Sequence, residues 1–213
     1  MPLSRRQLVI ASAAVLAAPV PAQAARALAA MTEGPFYPPR AWRDAWADQD
    51  ADLTRVTRGA QTLVARGEHL GLEAVVSDTA GRAIDGVDVE IWQCDTLQTY
   101  RHPREPSQPG RFDPGFQGFG ATRSDGAGLA RLRTIKPVTY PGRTPHIHVK
   151  LRHASFGELT TQLFIDGDAG NARDFLWRAL AAEDRAALAL QLRPAPEGSG
   201  LRWLVRHALV VPA

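Results

Sequence analysis

The 213-residue chain has one cysteine (Cys94), three tyrosines and two methionines, and these shortages narrow what it can be. A single thiol cannot form an intramolecular disulfide, so the fold must rest on its hydrophobic core or on a bound metal. No apolar run approaches the roughly 20 residues that a membrane-crossing helix needs. The small apolar run Val9 to Ala18 falls well short of it. No internal repeat, low-complexity tract or second domain is visible, and the length suits one domain. An excess of charge is missing too: 25 basic and 22 acidic residues leave +3 at pH 7.

Much of that small excess sits at the start. Ser4-Arg5-Arg6-Gln7-Leu8 precedes the apolar run, and Pro19, Pro21 and Ala22-Gln23-Ala24 follow it. A charged segment, a short apolar segment and small residues at −3 and −1 are the order of an export signal. The paired Arg5-Arg6 fits the twin-arginine type. Residues 1–24 are therefore expected to be a signal peptide, with Ala29 or Ala30 as other cleavage points. Residues 25–213 are expected to form one exported domain, periplasmic or extracellular. Without Arg5 and Arg6 that domain is nearly neutral. It has no arginine clusters interleaved with aromatics, which argues against nucleic acid as a partner. Nothing in its mature form calls for a membrane.

The middle of the chain reads as short strands between turn residues. Val87-Asp88-Val89-Glu90-Ile91-Trp92 alternates apolar and polar side chains, placing Val87, Val89 and Ile91 on one face. Leu70–Ser77, Leu129–Ile135, His146–Leu151, Glu158–Ile165 and Trp203–Val211 are further strand candidates. Arg173–Leu192 is the one helical pattern, with Phe175, Leu176, Leu180 and Leu188 on an apolar face. These elements predict an all-β, antiparallel β-sandwich with long loops and one short C-terminal helix. The long irregular stretches, Thr32 to about Arg66 and Arg101 to Phe119, are of the length that tends to carry function.

One segment carries chemistry. In Tyr140-Pro-Gly-Arg-Thr-Pro-His146-Ile-His148, a strand would project His146 and His148 to the same side, roughly 6.5–7 Å apart at Cα. Two imidazoles at that spacing can converge on one ion, while Ile147 packs on the opposite face. Pro145 suits the strand's first position. Tyr140 and Tyr100 supply two phenols in a chain that has only three. Ionising a free tyrosine at pH 7 costs about 4 kcal/mol, which zinc sites have no need to meet. A hard trivalent cation can meet it, as tyrosinate-ligated ferric haem shows. Two His and two Tyr therefore point to non-haem Fe(III).

Several ordered segments resemble the intradiol ring-cleavage dioxygenases. They are Glu33-Gly-Pro-Phe-Tyr-Pro38, Val89-Glu-Ile-Trp-Gln93 leading to Tyr100-Arg-His-Pro103, and Gly118-Phe-Gly120. Arg131-Leu-Arg-Thr-Ile-Lys-Pro137, Tyr140-Pro141 and Arg143…His146-Ile-His148 complete the set. The resemblance covers about residues 32–165. It implies a β-sandwich holding one Fe(III) through Tyr100, Tyr140, His146 and His148, with Tyr140 and His146 axial. It further implies that O2 and a catechol-type substrate react to a cis,cis-muconate-type diacid. Tyr140 would be displaced by the catechol and accept a proton. By the same resemblance Arg143 would face the ring, stabilising negative charge there. Gln162 would line the pocket, although a solvent-facing place on its strand is an equal reading. Tyr37 would contact substrate, and Trp92 would line the pocket or belong to the core. His69, His102, His153 and His207 are not expected to be ligands, though His102 is close enough to Tyr100 to support the site. Only five residues separate Tyr140 from His146, fewer than in the enzymes of central aromatic catabolism. The expected consequence is a more open site or a reshaped specificity. No helical N-terminal dimerisation domain is visible, so the chain looks more like a protocatechuate-type subunit or a compact exported member, with a homo-oligomer left open. Two other readings remain: a zinc or copper site using His146, His148 and a carboxylate such as Asp125, and a non-catalytic binding sandwich.

Overall fold

Strict apolar alternation along a chain segment buries one face of a strand and leaves the other to be covered by something else. That rule builds the molecule. A computed structural model describes residues 25–46, 48–104 and 111–212, so the expected signal peptide at 1–24 lies outside the described residues. In chain order the elements begin with a helical turn, α1 (Arg40–Arg43), and a hairpin, β1 (Arg55–Arg58) and β2 (Gln61–Val64). The long strands follow: β3 (His69–Asp78), β4 (Asp88–Trp92), β5 (Phe119–Arg123), β6 (Leu129–Ile135), β7 (His146–His153) and β8 (Gly157–Ile165). After a 3-10 turn at Asn171–Arg173 come α2 (Phe175–Ala179), α3 (Ala182–Leu188), β9 (Ala189–Leu190), β10 (Arg193–Pro194) and β11 (Trp203–Val211).

Two sheets face each other. One has the order β10-β11-β3-β6 and the other β5-β4-β7-β8-β9. Between them lie Leu70, Leu72, Ala74 and Val76 of β3, Leu132 of β6, and Val205 and Leu209 of β11. Opposite are Val89 and Ile91 of β4, Ile147, Val149 and Leu151 of β7, and Leu163 of β8. The β-sandwich expectation is borne out, and every strand candidate appears within about two residues of its expected ends.

Three features differ from expectation. First, β11 runs parallel to β3, and β9 parallel to β8, in an otherwise antiparallel fold. Alternation is the same read in either direction, so pattern alone cannot orient a last strand. Second, the helix expected over Arg173–Leu192 is two short helices. Leu180 and Ala181 between them are extended, with ψ of 149° and 160°. The break lets Leu180 and Trp177 pack on the core, while Phe175 is left 63% exposed. Third, the two irregular stretches contain α1, the β1–β2 hairpin and the start of β5. Strand β5 has little apolar pattern because Gly120 lets the chain at Asp50–Leu53 lie directly on it: a Cβ there would meet the Asp50 oxygen at 2.5 Å.

The site is positioned by the outer face of the five-stranded sheet. Register places Trp92 opposite His148 and His148 opposite Gln162, with His146 opposite Phe164. These side chains point away from the sandwich core. Residues 25–46 cover them, anchored by Leu28 N–H on Val210 O and Met31 N–H on Thr160 O.

Candidate metal centre and active site

The two histidines arrive by strand geometry, and their orientation is set by what lies around each ring. Both are nearly fully buried, at 2% and 3% exposure. His146 Nδ1–H donates to Thr144 O at 2.7 Å, which leaves a bare lone pair at Nε2. His148 is stacked on the Trp92 indole, ring centroids 4.7 Å apart at 11°. Trp92 therefore belongs to the core and to the wall of the site at once.

Tyr100 comes from the loop after β4, and a buried carboxylate turns it back. Asp95 Oδ1 accepts from Leu97 N, Thr99 N and Thr99 Oγ, and its Oδ2 accepts from Asp113 N at 2.6 Å. Gln98 takes the left-handed conformation, φ 64°, inside that turn. The chain then reverses and delivers the Tyr100 hydroxyl to 3.4 Å from His146 Nε2 and 3.2 Å from His148 Nε2. The two Nε2 atoms are themselves 3.2 Å apart.

Hydrogen bonding cannot account for this triangle. His146 Nε2 carries no proton, so at most two of the three edges can hold a donor. Three donors spaced this way are what ligands about 2 Å from a common cation require. Among the described residues no three His, Cys, Asp or Glu side chains gather to hold a metal. The phenols are thus what would complete a ligand set.

Tyr140 and Arg143 close the cluster through a tight turn. Pro141 sits second in the turn and Gly142 third at φ 83°, and Arg143 N–H donates to Tyr140 O at 2.9 Å. That is the residue pattern of a type II turn. Tyr140 is half-buried, its ring edge-on to Tyr100 at 5.6 Å. Arg143 is on a surface turn, yet its side chain is only 9% exposed. Its Nε donates to Asp174 Oδ2 at 2.8 Å and its Nη2 to Gln162 Oε1 at 2.6 Å. Its Nη1 lies 3.5 Å from the Tyr140 hydroxyl and 3.4 Å from His146 Nε2.

Burial dominates the electrostatics. It pushes the Tyr100 phenol well above the usual tyrosine range, helped by Cys94 and Tyr140, with Arg143 opposing. Burial also raises Tyr140, against the pull of Arg143. The imidazoles move the other way: burial, then the Arg143 charge, pushes His146 down to about 4. His148 falls well below its ordinary value by burial and by His146. At neutral pH the site holds two neutral imidazoles and two phenols that need a cation in order to ionise. That donor chemistry fits a hard, highly charged metal ion.

The remaining candidates are placed as follows. Gln162 is fully buried, not solvent-facing, and holds Arg143 while its Nε2 donates to Thr32 O at 3.1 Å. Tyr37 is not brought to the donor triangle. Its hydroxyl donates to Glu90 Oε2 at 2.7 Å and accepts from Arg152 and Arg43, one ring behind Trp92. Its neighbour Phe36 is the residue that meets the site, stacked on Tyr100 at 4.7 Å. His102 packs edge-on to Phe36 at 5.9 Å. His69 Nε2 bonds Ala65 O, His153 Nδ1 bonds Ser155 Oγ, and His207 lies on β11 in the other sheet. Asp125 is no partner for the histidines. It caps the β5–β6 turn through Ala127 N and Leu129 N, beyond the end of β4 farthest from Trp92. The zinc or copper alternative built on Asp125 therefore has no third ligand. Three contributors were missed: Phe36, Asp95 and Asp174. The last two had a signal, since an Asp two or three residues before exposed backbone N–H groups is a turn or helix cap.

A β-sandwich whose outer sheet face carries two imidazoles, with two phenols and a buried arginine brought over them by loops, holds a candidate metal centre. A family model described as Dioxygenase matches residues 32–203, and the chain belongs to the intradiol ring-cleavage dioxygenases. The beta chain of protocatechuate 3,4-dioxygenase from Burkholderia cepacia is 34% identical over 168 residues, 72% of this chain and 68% of that one. Catechol 1,2-dioxygenase 2 from Acinetobacter lwoffii is 29% identical, over 76% of this chain and 58% of its own length. This chain thus spans little more than half of the latter. Among solved structures, the dioxygenase domain of a carbohydrate-binding fusion from Streptomyces sp. SirexAA-E aligns with a TM-score of 0.61. It is 26% identical, with 88% of this chain and 99% of that domain covered. The 3-chlorocatechol 1,2-dioxygenase of Rhodococcus opacus 1CP shares the fold, with a TM-score of 0.65 at 20% identity and coverage of 90% and 74%.

Proposed function

We propose that this chain opens a catechol-type aromatic ring between its two hydroxylated carbons, with O2 as co-substrate, to a muconate-type diacid. We assign one Fe(III) per chain to Tyr100, Tyr140, His146 and His148. The observation that carries the reading is the triangle of Tyr100 hydroxyl and two Nε2 atoms, with Tyr140 and Arg143 beside it. When bound, ferric iron would ionise the phenols, take the catechol oxygens and withdraw electron density from the ring.

The chain's own residues supply the rest. Tyr140 is the more open of the two phenols, so its hydroxyl oxygen is the one placed to accept a substrate proton. Arg143 keeps a permanent positive charge at the edge of the site, where negative charge would develop on the ring. Phe36 covers Tyr100 and Trp92 backs His148, which keeps water from the donor atoms. The paired arginines and short apolar run before Ala24 support export of the domain, and N-terminal sequencing of the secreted or periplasmic protein tests that part.

The reading is tested by colour and oxygen uptake. Protein reconstituted with ferric iron should be red-brown from tyrosinate charge transfer, change colour with catechol under anaerobic conditions, and consume one O2 per ring opened. A colourless protein holding no stoichiometric iron overturns it.

A further inference from the structure

We infer that Asp174 is a positioning residue for Arg143, linking the helix at the rim of the site to the charge that faces the substrate. This inference rests on the ring-opening reading above. The Asp174 side chain is fully buried, and four donors converge on its carboxylate. Oδ2 accepts from Arg143 Nε at 2.8 Å and from Thr144 N at 3.0 Å. Oδ1 accepts from Leu176 N at 2.9 Å and Trp177 N at 3.0 Å, the first free amides of α2. One oxygen serves the Tyr140–Arg143 turn and its neighbour Thr144, and the other serves the helix.

The consequence is directional. A guanidinium has three nitrogens in a rigid plane, so fixing two of them fixes where the third points. Asp174 holds Nε and Gln162 holds Nη2, which leaves Nη1 aimed at the Tyr140 hydroxyl and His146 Nε2. Remove either anchor and the plane can swing about the remaining bond. Thr144 strengthens the grip: its Oγ donates to Asn171 Oδ1 at 2.8 Å, and its carbonyl accepts from His146 Nδ1–H. Phe175, next to Asp174 on the exposed start of α2, lies 5.6 Å from the Arg143 guanidinium.

Helix capping and arginine aiming can be separated. Serine caps helices well but offers no second carboxylate oxygen to Arg143. Asp174→Ser should keep α2 capped and the ferric charge-transfer band unchanged, lower the folding midpoint because Arg143 and Thr144 N–H lose their buried acceptor, and lower kcat about 100-fold with a smaller change in KM. Asp174→Asn, which caps equally well and keeps one acceptor oxygen, should lower kcat in the same way with a smaller drop in midpoint. In an Arg143→Ala background, Asp174→Ser should cost less than about 3-fold more, because the residue it positions is gone. Equal losses in both backgrounds, or a serine variant with wild-type kcat, overturn the proposal. If wild-type protein neither binds iron nor opens catechols, the ring-opening reading has failed, which the wild-type control reports separately.

Discussion

At the scale of single residues, the two phenols look alike in sequence and differ in place. Tyr100 is 4% exposed and sits within 3.4 Å of both imidazoles, whereas Tyr140 is half-buried and touches Arg143. The buried one should be the permanent ligand and the open one the exchangeable ligand. Tyr100→Phe is accordingly expected to lose most bound iron and the visible band, measured by metal analysis and absorbance. Tyr140→Phe should keep iron and a weaker band while losing turnover by about 100-fold or more, as the proton acceptor disappears. If both variants retain colour equally, the assignment of roles is wrong. The convergence of His146, His148 and the two tyrosines was legible in the sequence, because an H-x-H pair on a strand fixes its own geometry and tyrosines are scarce. The role of Tyr37 was not. Motif order brings Phe36 and Tyr37 to the site together, but only packing decides that Phe36 meets Tyr100 and that Tyr37 turns toward Glu90.

At the scale of elements, short connections do the positioning, and each depends on one residue that a pattern of apolar spacing passes over. Gly142 holds φ 83° with no atom within 4 Å of where a Cβ would sit, so its substitution is a purely conformational test. Gly142→Ala should cost about 1 kcal/mol, read by urea denaturation, and lower activity more than stability because Tyr140 and Arg143 flank it. Asp95 is different, since its buried carboxylate satisfies three backbone N–H groups and the Thr99 hydroxyl. Asp95→Ala leaves those donors unmet. It should destabilise the protein by about 2–4 kcal/mol and reduce iron content together with stability. Undiminished iron in a destabilised Asp95→Ala protein would show that Tyr100 is held by something else. Strands were legible to within about two residues because burial on one face enforces period two. The helix was not, because the apolar spacing of Phe175, Leu176, Leu180 and Leu188 is that of one amphipathic helix. Only the core contact of Leu180 shows that the chain bends there.

At the scale of the whole molecule, the fold buries groups that dislike burial, and that sets its response to acid. His146 is held down to about 4, and His148 and His207 below their ordinary value, all chiefly by burial. An unfolded chain takes up protons on these rings near pH 6.5, while the folded metal-free protein refuses them. Stability contributed by the neutral rings is therefore complete above pH 6.5 and falls as pH drops from 6.5 toward 4. Asp78 and Asp174, both held below the ordinary carboxylate value, extend the loss to lower pH. A bound cation changes this balance, because it is held by the native arrangement alone and must be displaced before His146 and His148 can protonate. Iron at about 1,000 times its dissociation constant would add about 4 kcal/mol of stability. Thermal melts of stripped and ferric protein across pH 4–8 should then form two curves. The stripped curve should decline steadily below pH 6.5, and the ferric curve should stay high and drop where the colour is lost. Coincident curves would mean that no metal links the two histidines to the rest of the fold. A ferric curve that declines before its colour fades would place the acid-sensitive groups outside the two histidines, with His207 and Asp78 as the candidates.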